Sequence, residues 1–196
     1  MAAKLSTKLS TKLSTKPKNI YESIKQDHVK VKKLLSELVS LSDKDRKRHT
    51  LIRQIRDELI PHSRAEEAVF YNPLRALDPN AASLMHAYRD HMQAEGLLRA
   101  LQVEDKINLG WRETAKKLKQ ALDHHIKEEE EIHFAMGRRL LSAAEAQRLG
   151  IAFRSLKPEI RQESLIQTTL DMVANMMPPR MSKFFGLSVP ALKLAR

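Results

Sequence analysis

The chain has 196 residues, 42% hydrophobic and 30% charged, which is enough for one domain with a sizeable core and terminal extensions. With 5 Gly and 5% aromatic residues it lacks the turn and strand formers of a β-sandwich or barrel; with no Cys it excludes disulfides, zinc fingers, thiolate-held iron–sulfur clusters and thiol catalysis, and fits a reducing, cytoplasmic setting. The net charge of +11 sits at the ends: residues 1–18 contribute +5, residues 152–196 contribute +4, and residues 19–151, with 23 basic and 21 acidic side chains, only +2, unlike a nucleic-acid-binding fold that carries its charge on the folded domain.

Residues 1–18 repeat KLST three times and read as a disordered basic arm. From Asn19 the apolar period becomes helical. A first helix carries Ile20, Ile24, Val31, Leu34, Leu35 and Leu38 on one face. A second carries Leu51, Ile52, Ile55, Leu59, Val69 and Phe70 and is predicted to stop at Asn72-Pro73. A third carries Leu84, Tyr88, Ala94, Leu98 and Leu101 and closes at Asn108-Leu109-Gly110. The fourth carries Trp111, Ala115, Leu118, Leu122, Ile132 and Met136. Short connections between four amphipathic helices predict an all-α, up-down-up-down four-helix bundle over residues 19–140. Residues 141–196 read as a helical extension with a basic tail. Its expected parts are a short helix, Ser142 to Leu149, stopped by Gly150, then an apolar stripe of Ile166, Leu170, Val173 and Met177 before Pro178-Pro179. No segment is long and apolar enough to span a membrane.

Each of the four helices places ionisable groups on its apolar seam: His28 on the first, His62 and Glu66 on the second, His91 and Glu95 on the third, His125 and Glu129 on the fourth. Burying an unpaired charge costs several kcal/mol or forces it to neutralise, and a metal ion would satisfy all seven groups at once. Any one of them alone reads as a hydrogen-bonded core histidine or a snorkelling glutamate. The repetition on four helices is what turns the reading towards a ligand set. The pattern is also an internal repeat. Asp27-His28 recurs as Asp90-His91, and His62, Glu66 and Glu67 recur as His125, Glu129 and Glu130, every offset being 63 residues. Two hairpins related by a pseudo-two-fold axis suit a pair of metal ions. Glu67 and Glu130, about 100° round the helix from their neighbours, are expected to be solvated or to lie behind the ligands. Asp27 and Asp90 are expected on the helix surface, with an orienting role as the alternative. Tyr88 is expected in the core, His133 at the bundle end, and His49, His86 and His124 on the surface.

At these residues the sequence resembles the hemerythrin-like (HHE cation-binding) domains, through NIYESIKQDH, HSRAEEAVFYNP, DHMQAE and HIKEEEE. The resemblance implies a four-helix bundle around a non-haem di-iron centre, with His28, His62, His91 and His125 as imidazole ligands and Glu66 and Glu129 as bridging carboxylates. It further implies two iron ions as cofactor, manganese or zinc being the alternatives. Oxygen-carrying members have a second histidine four residues after the first on the third helix, where this chain has Glu95. An additional carboxylate offsets more metal charge and favours the ferric state. The implied function is therefore binding, sensing or reacting with O₂, peroxide or nitric oxide, or handling iron, with Leu35, Leu59, Leu98 and Ile132 excluding water. The alternatives are a di-iron enzyme that decomposes peroxide or repairs iron–sulfur centres, and a metal-free interaction bundle. The partners implied are a small ligand and a redox partner, with weak contact to acidic surfaces through the basic tails and no specific nucleic acid.

Overall fold

The computed structural model describes residues 18–107 and 109–162, all helical apart from caps and turns. The basic arm to residue 17 and the apolar stripe from Ile166 lie outside the described residues. The elements in order are α1 (Ile20–Ser40), α2 (Lys47–Glu66), a π-turn (Glu67–Tyr71), α3 (Asn72–Leu77), α4 (Ala82–Ile107), α5 (Trp111–Glu128), a second π-turn (Glu129–His133), α6 (Phe134–Leu140) and α7 (Ala143–Gln162). α2 and α3 are one rod joined through the first π-turn, and α5 and α6 are another joined through the second. α1 packs on α2 and α5, and α4 packs on α2 and α5, which closes the four-membered ring the sequence predicts.

Local chemistry explains the boundaries. Asn19 caps α1, accepting from the Glu22 N–H at 3.0 Å while Glu22 Oε2 accepts from the Asn19 N–H at 2.9 Å, a reciprocal capping box. Gly110, at φ +71°, occupies the left-handed conformation that lets the chain turn from α4 into α5. Asn72-Pro73 does not end the second helix as predicted. Pro73 falls in the first turn of α3, where a missing N–H costs little, and the rod continues to Leu77.

Two apolar clusters fill the interior. One holds Ile20, Ile24, Phe70, Tyr71, Leu74, Leu84, Tyr88, Phe134 and Phe153. The other holds Val31, Leu35, Leu38, Leu51, Ile55, Leu59, Leu98, Leu101, Trp111, Leu118 and Leu122. The seam histidines and glutamates occupy the layer between them.

α7 is a fifth helix laid across α1 and α2. The helix does not stop at Gly150 as predicted but runs through it to Gln162. A Cβ at Gly150 would come within 2.5 Å of the Asn19 carbonyl carbon and the Lys18 oxygen, so this glycine permits close crossing of α1 rather than terminating a helix. α7 also repairs α2. Pro61 has no N–H for the Asp57 carbonyl one turn earlier, and Arg161 Nε donates to that oxygen at 3.1 Å instead.

Candidate metal centre

The site begins with four imidazoles whose Nδ1 atoms each face a carboxylate on another helix. Asp27 Oδ2 lies 3.3 Å from His62 Nδ1 and Asp90 Oδ2 3.4 Å from His125 Nδ1. Glu130 Oε1 lies 3.0 Å from His28 Nδ1 and Glu67 Oε1 2.8 Å from His91 Nδ1. These four pairs obey the 63-residue repeat. Each carboxylate holds the proton on Nδ1 and turns Nε2 inward, the arrangement that presents a histidine as a metal ligand.

The Nε2 atoms meet two buried carboxylates. Glu66 Oε2 stands 3.4 Å from His62 Nε2 and 3.5 Å from His91 Nε2, spanning both halves of the repeat. Glu129 Oε2 stands 3.0 Å from His28 Nε2, and His91 Nε2 lies 3.0 Å from His125 Nε2. Glu66, His91 and His125 alone offer three donor atoms within 4.8 Å of one another. Glu66 and Glu129 are 0% exposed, and both oxygens of each, with His28 Nε2, lack a hydrogen-bond partner. Leaving such groups unmet costs about 1–3 kcal/mol each, more where they are charged, so the donor set fits a cation. A cavity of about 10 Å³, lined by His28, His62, His91, His125, Leu59 and Leu122, adjoins these atoms. That is room for a ligand about the size of one water molecule.

Electrostatics separate the members. Burial alone would raise the Glu66 carboxyl, but the adjoining His62 and His91 rings hold it at about 2. Burial favours neutral His28 and His62, and pushes His125 down to about 4. His91 is the exception: burial would lower it, yet Glu66 and Glu67 raise it to about 9. Metals compete with protons for the same lone pairs, so of the four imidazoles His91 is the one that would have to surrender a proton to a metal.

Of the seven residues singled out in the sequence, six come together: His28, His62, Glu66, His91, His125 and Glu129. Glu95 does not join them. Its carboxylate is turned to Arg64 Nη2 at 2.5 Å and to Arg99, a charge-assisted pair with a buried guanidinium. Arg64 also reaches Glu67 Oε2 at 3.1 Å, forming a chain from the His91 ring to the surface.

The π-turns explain what periodicity missed. A wide turn inserts one residue into the seam, the first starting just after Glu66 and the second at Glu129. In the second, His133 turns inward at 1% exposure and Ile132 turns out at 46%, so Ile132 does not shield the site as expected. His133 is not at the bundle end but 5.6 Å from the Tyr71 ring. Tyr71, unremarked in the sequence, is 0% exposed, stacks on His91 at 5.6 Å, and its hydroxyl has no hydrogen-bond partner. Burial, then the Glu66 and Glu67 charges, keeps that hydroxyl protonated. Glu67 is fully buried, and Asp27 and Asp90 each serve the histidine of the neighbouring helix rather than the one beside them in the chain. Tyr88 is a core tyrosine bonded to Asn72 Oδ1 at 2.6 Å, and His49, His86 and His124 are exposed, as the sequence suggests. Among the described residues no helix is long and apolar enough to cross a membrane.

Comparison with known proteins gives the family and the fold. The family model for the hemerythrin HHE cation-binding domain matches residues 19–136. A DNA nickase of Nostoc sp. (strain PCC 7120 / SAG 25.82 / UTEX 2576) is 26% identical over 144 residues, which is 74% of this chain and 40% of that protein; the chain thus spans two fifths of that relative's length. The crystal structure of a hemerythrin HHE cation-binding domain-containing protein from Mycobacterium kansasii has the same fold, with a TM-score of 0.64, 24% identity, and coverage of 81% of this chain and 97% of that one.

Proposed function

The chain belongs to the hemerythrin HHE cation-binding family, and on that premise we propose that it holds two iron ions among His28, His62, Glu66, His91, His125 and Glu129 and uses them to bind or react with O₂, peroxide or nitric oxide. The observation that carries this reading is the set of inward Nε2 atoms around two fully buried carboxylates whose oxygens have no hydrogen-bond partner. His28 with His62, and His91 with His125, form two imidazole pairs, with ring centroids 5.1 and 4.6 Å apart, and Glu66 lies between the pairs. An all N/O donor set of this kind suits iron or manganese.

Bound iron would supply electrons and an open coordination position for a small ligand. The protein does the rest. The Asp27, Asp90, Glu67 and Glu130 carboxylates fix each ring, Leu59 and Leu122 keep the cavity dry, and its size restricts entry to ligands of a few atoms. The Tyr71 hydroxyl, protonated and unpaired, is available as a hydrogen-bond donor beside His91. With Glu95 held by Arg64 and Arg99, we assign it a structural role outside the ligand set. The chain spans only two fifths of the Nostoc relative, and residues 19–151 are close to neutral, so the activity named for that relative is not extended to this chain.

The test is elemental analysis of protein purified without added metal, with an absorption spectrum of the same sample. About two irons per chain, with a near-ultraviolet band that bleaches on reduction, is the expected result. Protein that carries no metal and takes up none from anaerobic ferrous iron would overturn the reading in favour of a metal-free interaction bundle.

A further inference from the structure

α4 is apolar on two sides, and the bundle buries one of them. Leu84, His91, Leu98 and Leu101 point inward. On the outer side Met92, Gly96, Ala100, Val103 and Ile107 are all exposed. At about 100° per residue these five fall within about 40° of Gly96, in one row about 22 Å long. Met92 is 39%, Val103 58% and Ile107 61% exposed. Single exposed apolar residues are ordinary on a protein surface, but a row along one helix face is the pattern by which helices dock.

The charges on this helix are sorted by side. Its four acids, Asp90, Glu95, Glu104 and Asp105, are all buried or half-buried. Asp90 faces His125, Glu95 faces Arg64, and Asp105 faces Arg48 and His49. The charged groups left on the exposed side are the bases Arg89, Arg99 and Lys106, which run beside the apolar row. Arg99 also reaches back to Glu95, with its side chain 44% exposed. A partner that covers this row therefore meets apolar side chains edged by positive charge, and acidic groups complement it. Two copies of the same face would bring like charges together.

Gly96 narrows the choice of partner further. Glycine is among the costliest residues in a helix interior. Here a Cβ would meet nothing within 4 Å, so none of the described residues requires its absence. With Ala100 one turn on, it leaves a notch in the middle of the row. A notch admits the ridge of a second helix at close range, whereas a lipid surface has no use for one.

We propose that the outer face of α4 is a docking surface for an amphipathic helix of a partner protein, with apolar residues that meet Met92, Val103 and Ile107, a close crossing at Gly96, and acidic residues that meet Arg89, Arg99 and Lys106. This surface is independent of the metal centre, which lies on the opposite side of the same helix.

The experiment titrates the full chain with two synthetic helical peptides of about 20 residues, long enough to hold a helix on binding. One has leucines at i, i+3, i+4 and i+7 with glutamates along both edges. The other has lysine for every glutamate. The acidic peptide should bind and the lysine peptide should not. Val103→Asp and Arg89→Glu should each weaken binding by roughly tenfold or more, as a buried apolar anchor and a complementary charge are lost. Gly96→Leu should weaken binding as much by filling the notch, with a Tm no lower than wild type because its side chain enters open space. Metal content should be the same in all variants. No binding, equal binding of both peptides, or binding that all three substitutions leave unchanged, as contact through the basic ends would give, would overturn the inference. So would a Gly96→Leu chain that melts below wild type. A wild-type dimer in sedimentation that Val103→Asp dissociates would assign the face to a second copy instead. Tighter binding to phosphatidylserine vesicles than to the acidic peptide, lost in Val103→Asp, would assign it to a membrane surface. None of these outcomes bears on the metal-binding reading.

Discussion

His91 and His125 sit 3.0 Å apart, Nε2 to Nε2, in one buried layer, yet their pKa values are displaced in opposite directions from the usual imidazole value. His125 is driven by burial to about 4, against 6.5 for a free imidazole. The unfolded chain therefore binds the proton first, and this contribution to stability is present above pH 6.5 and lost as the pH falls towards 4. His91, at about 9, contributes stability present below 6.5 and lost as the pH rises through 9. Metal-free protein should thus show its highest urea midpoint near pH 6.5, falling on both sides; a midpoint that climbs steadily to pH 9 would contradict the assignment for His91. Substitutions separate ligands from supports. His62→Ala should lower metal content and thermal stability together, since binding is linked to folding. Glu95→Gln should retain full metal content while losing about 1–3 kcal/mol by weakening the hydrogen bonds of the buried Arg64. If its metal content instead fell to that of Glu66→Gln, Glu95 would have to be counted among the ligands.

At the scale of elements, the two π-turns and the fifth helix shape the surroundings of the inward histidines and glutamates. The π-turns start just after Glu66 and at Glu129 and re-aim the residues beyond those glutamates, which is how Tyr71 and His133 reach the layer next to the inward donors. The fifth helix depends on a single close approach. Gly150→Ala would force its new Cβ into the Lys18–Asn19 backbone, which no side-chain rotation can relieve. It should cost about 1–3 kcal/mol, as overpacking does, and calorimetry should find a lower Tm with unchanged secondary structure. An unchanged Tm would mean that α7 does not dock at that crossing.

For the whole molecule, the proposed metal site in the polar layer between two apolar clusters predicts a stability that depends on a bound cation. Iron that binds the folded chain and not the unfolded one raises stability by RT ln(1 + [metal]/Kd), about 2.7 kcal/mol at a hundredfold excess over Kd. Chelation should therefore lower Tm, and the loss should be reversed by adding ferrous iron. Identical melting with and without chelator would show that the six donors are satisfied without metal.

The four-helix ring and the set of inward histidines and glutamates were legible in the sequence because both rest on local periodicities. Apolar residues at helical spacing must share a face. A histidine and a glutamate four residues apart must stand one above the other, and the 63-residue offset between Asp27-His28 and Asp90-His91 fixes the symmetry without reference to any contact. Where that periodicity changes, at the π-turns, prediction by helical spacing put Ile132 inside and His133 at the end, since an extra residue in a turn has no compositional signature. Gly150 reads as a stop in sequence and acts as a crossing point, because only the proximity of Lys18 and Asn19, more than a hundred residues away along the chain, gives its missing side chain a purpose. Glu95 likewise has the spacing of a ligand, and only the packing of α2 against α4 brings Arg64 to claim it. Sequence determined which groups share a face, since that follows from covalent spacing; tertiary structure decided which of them meet one another, since pairing of charges depends on distances across helices that no local pattern contains.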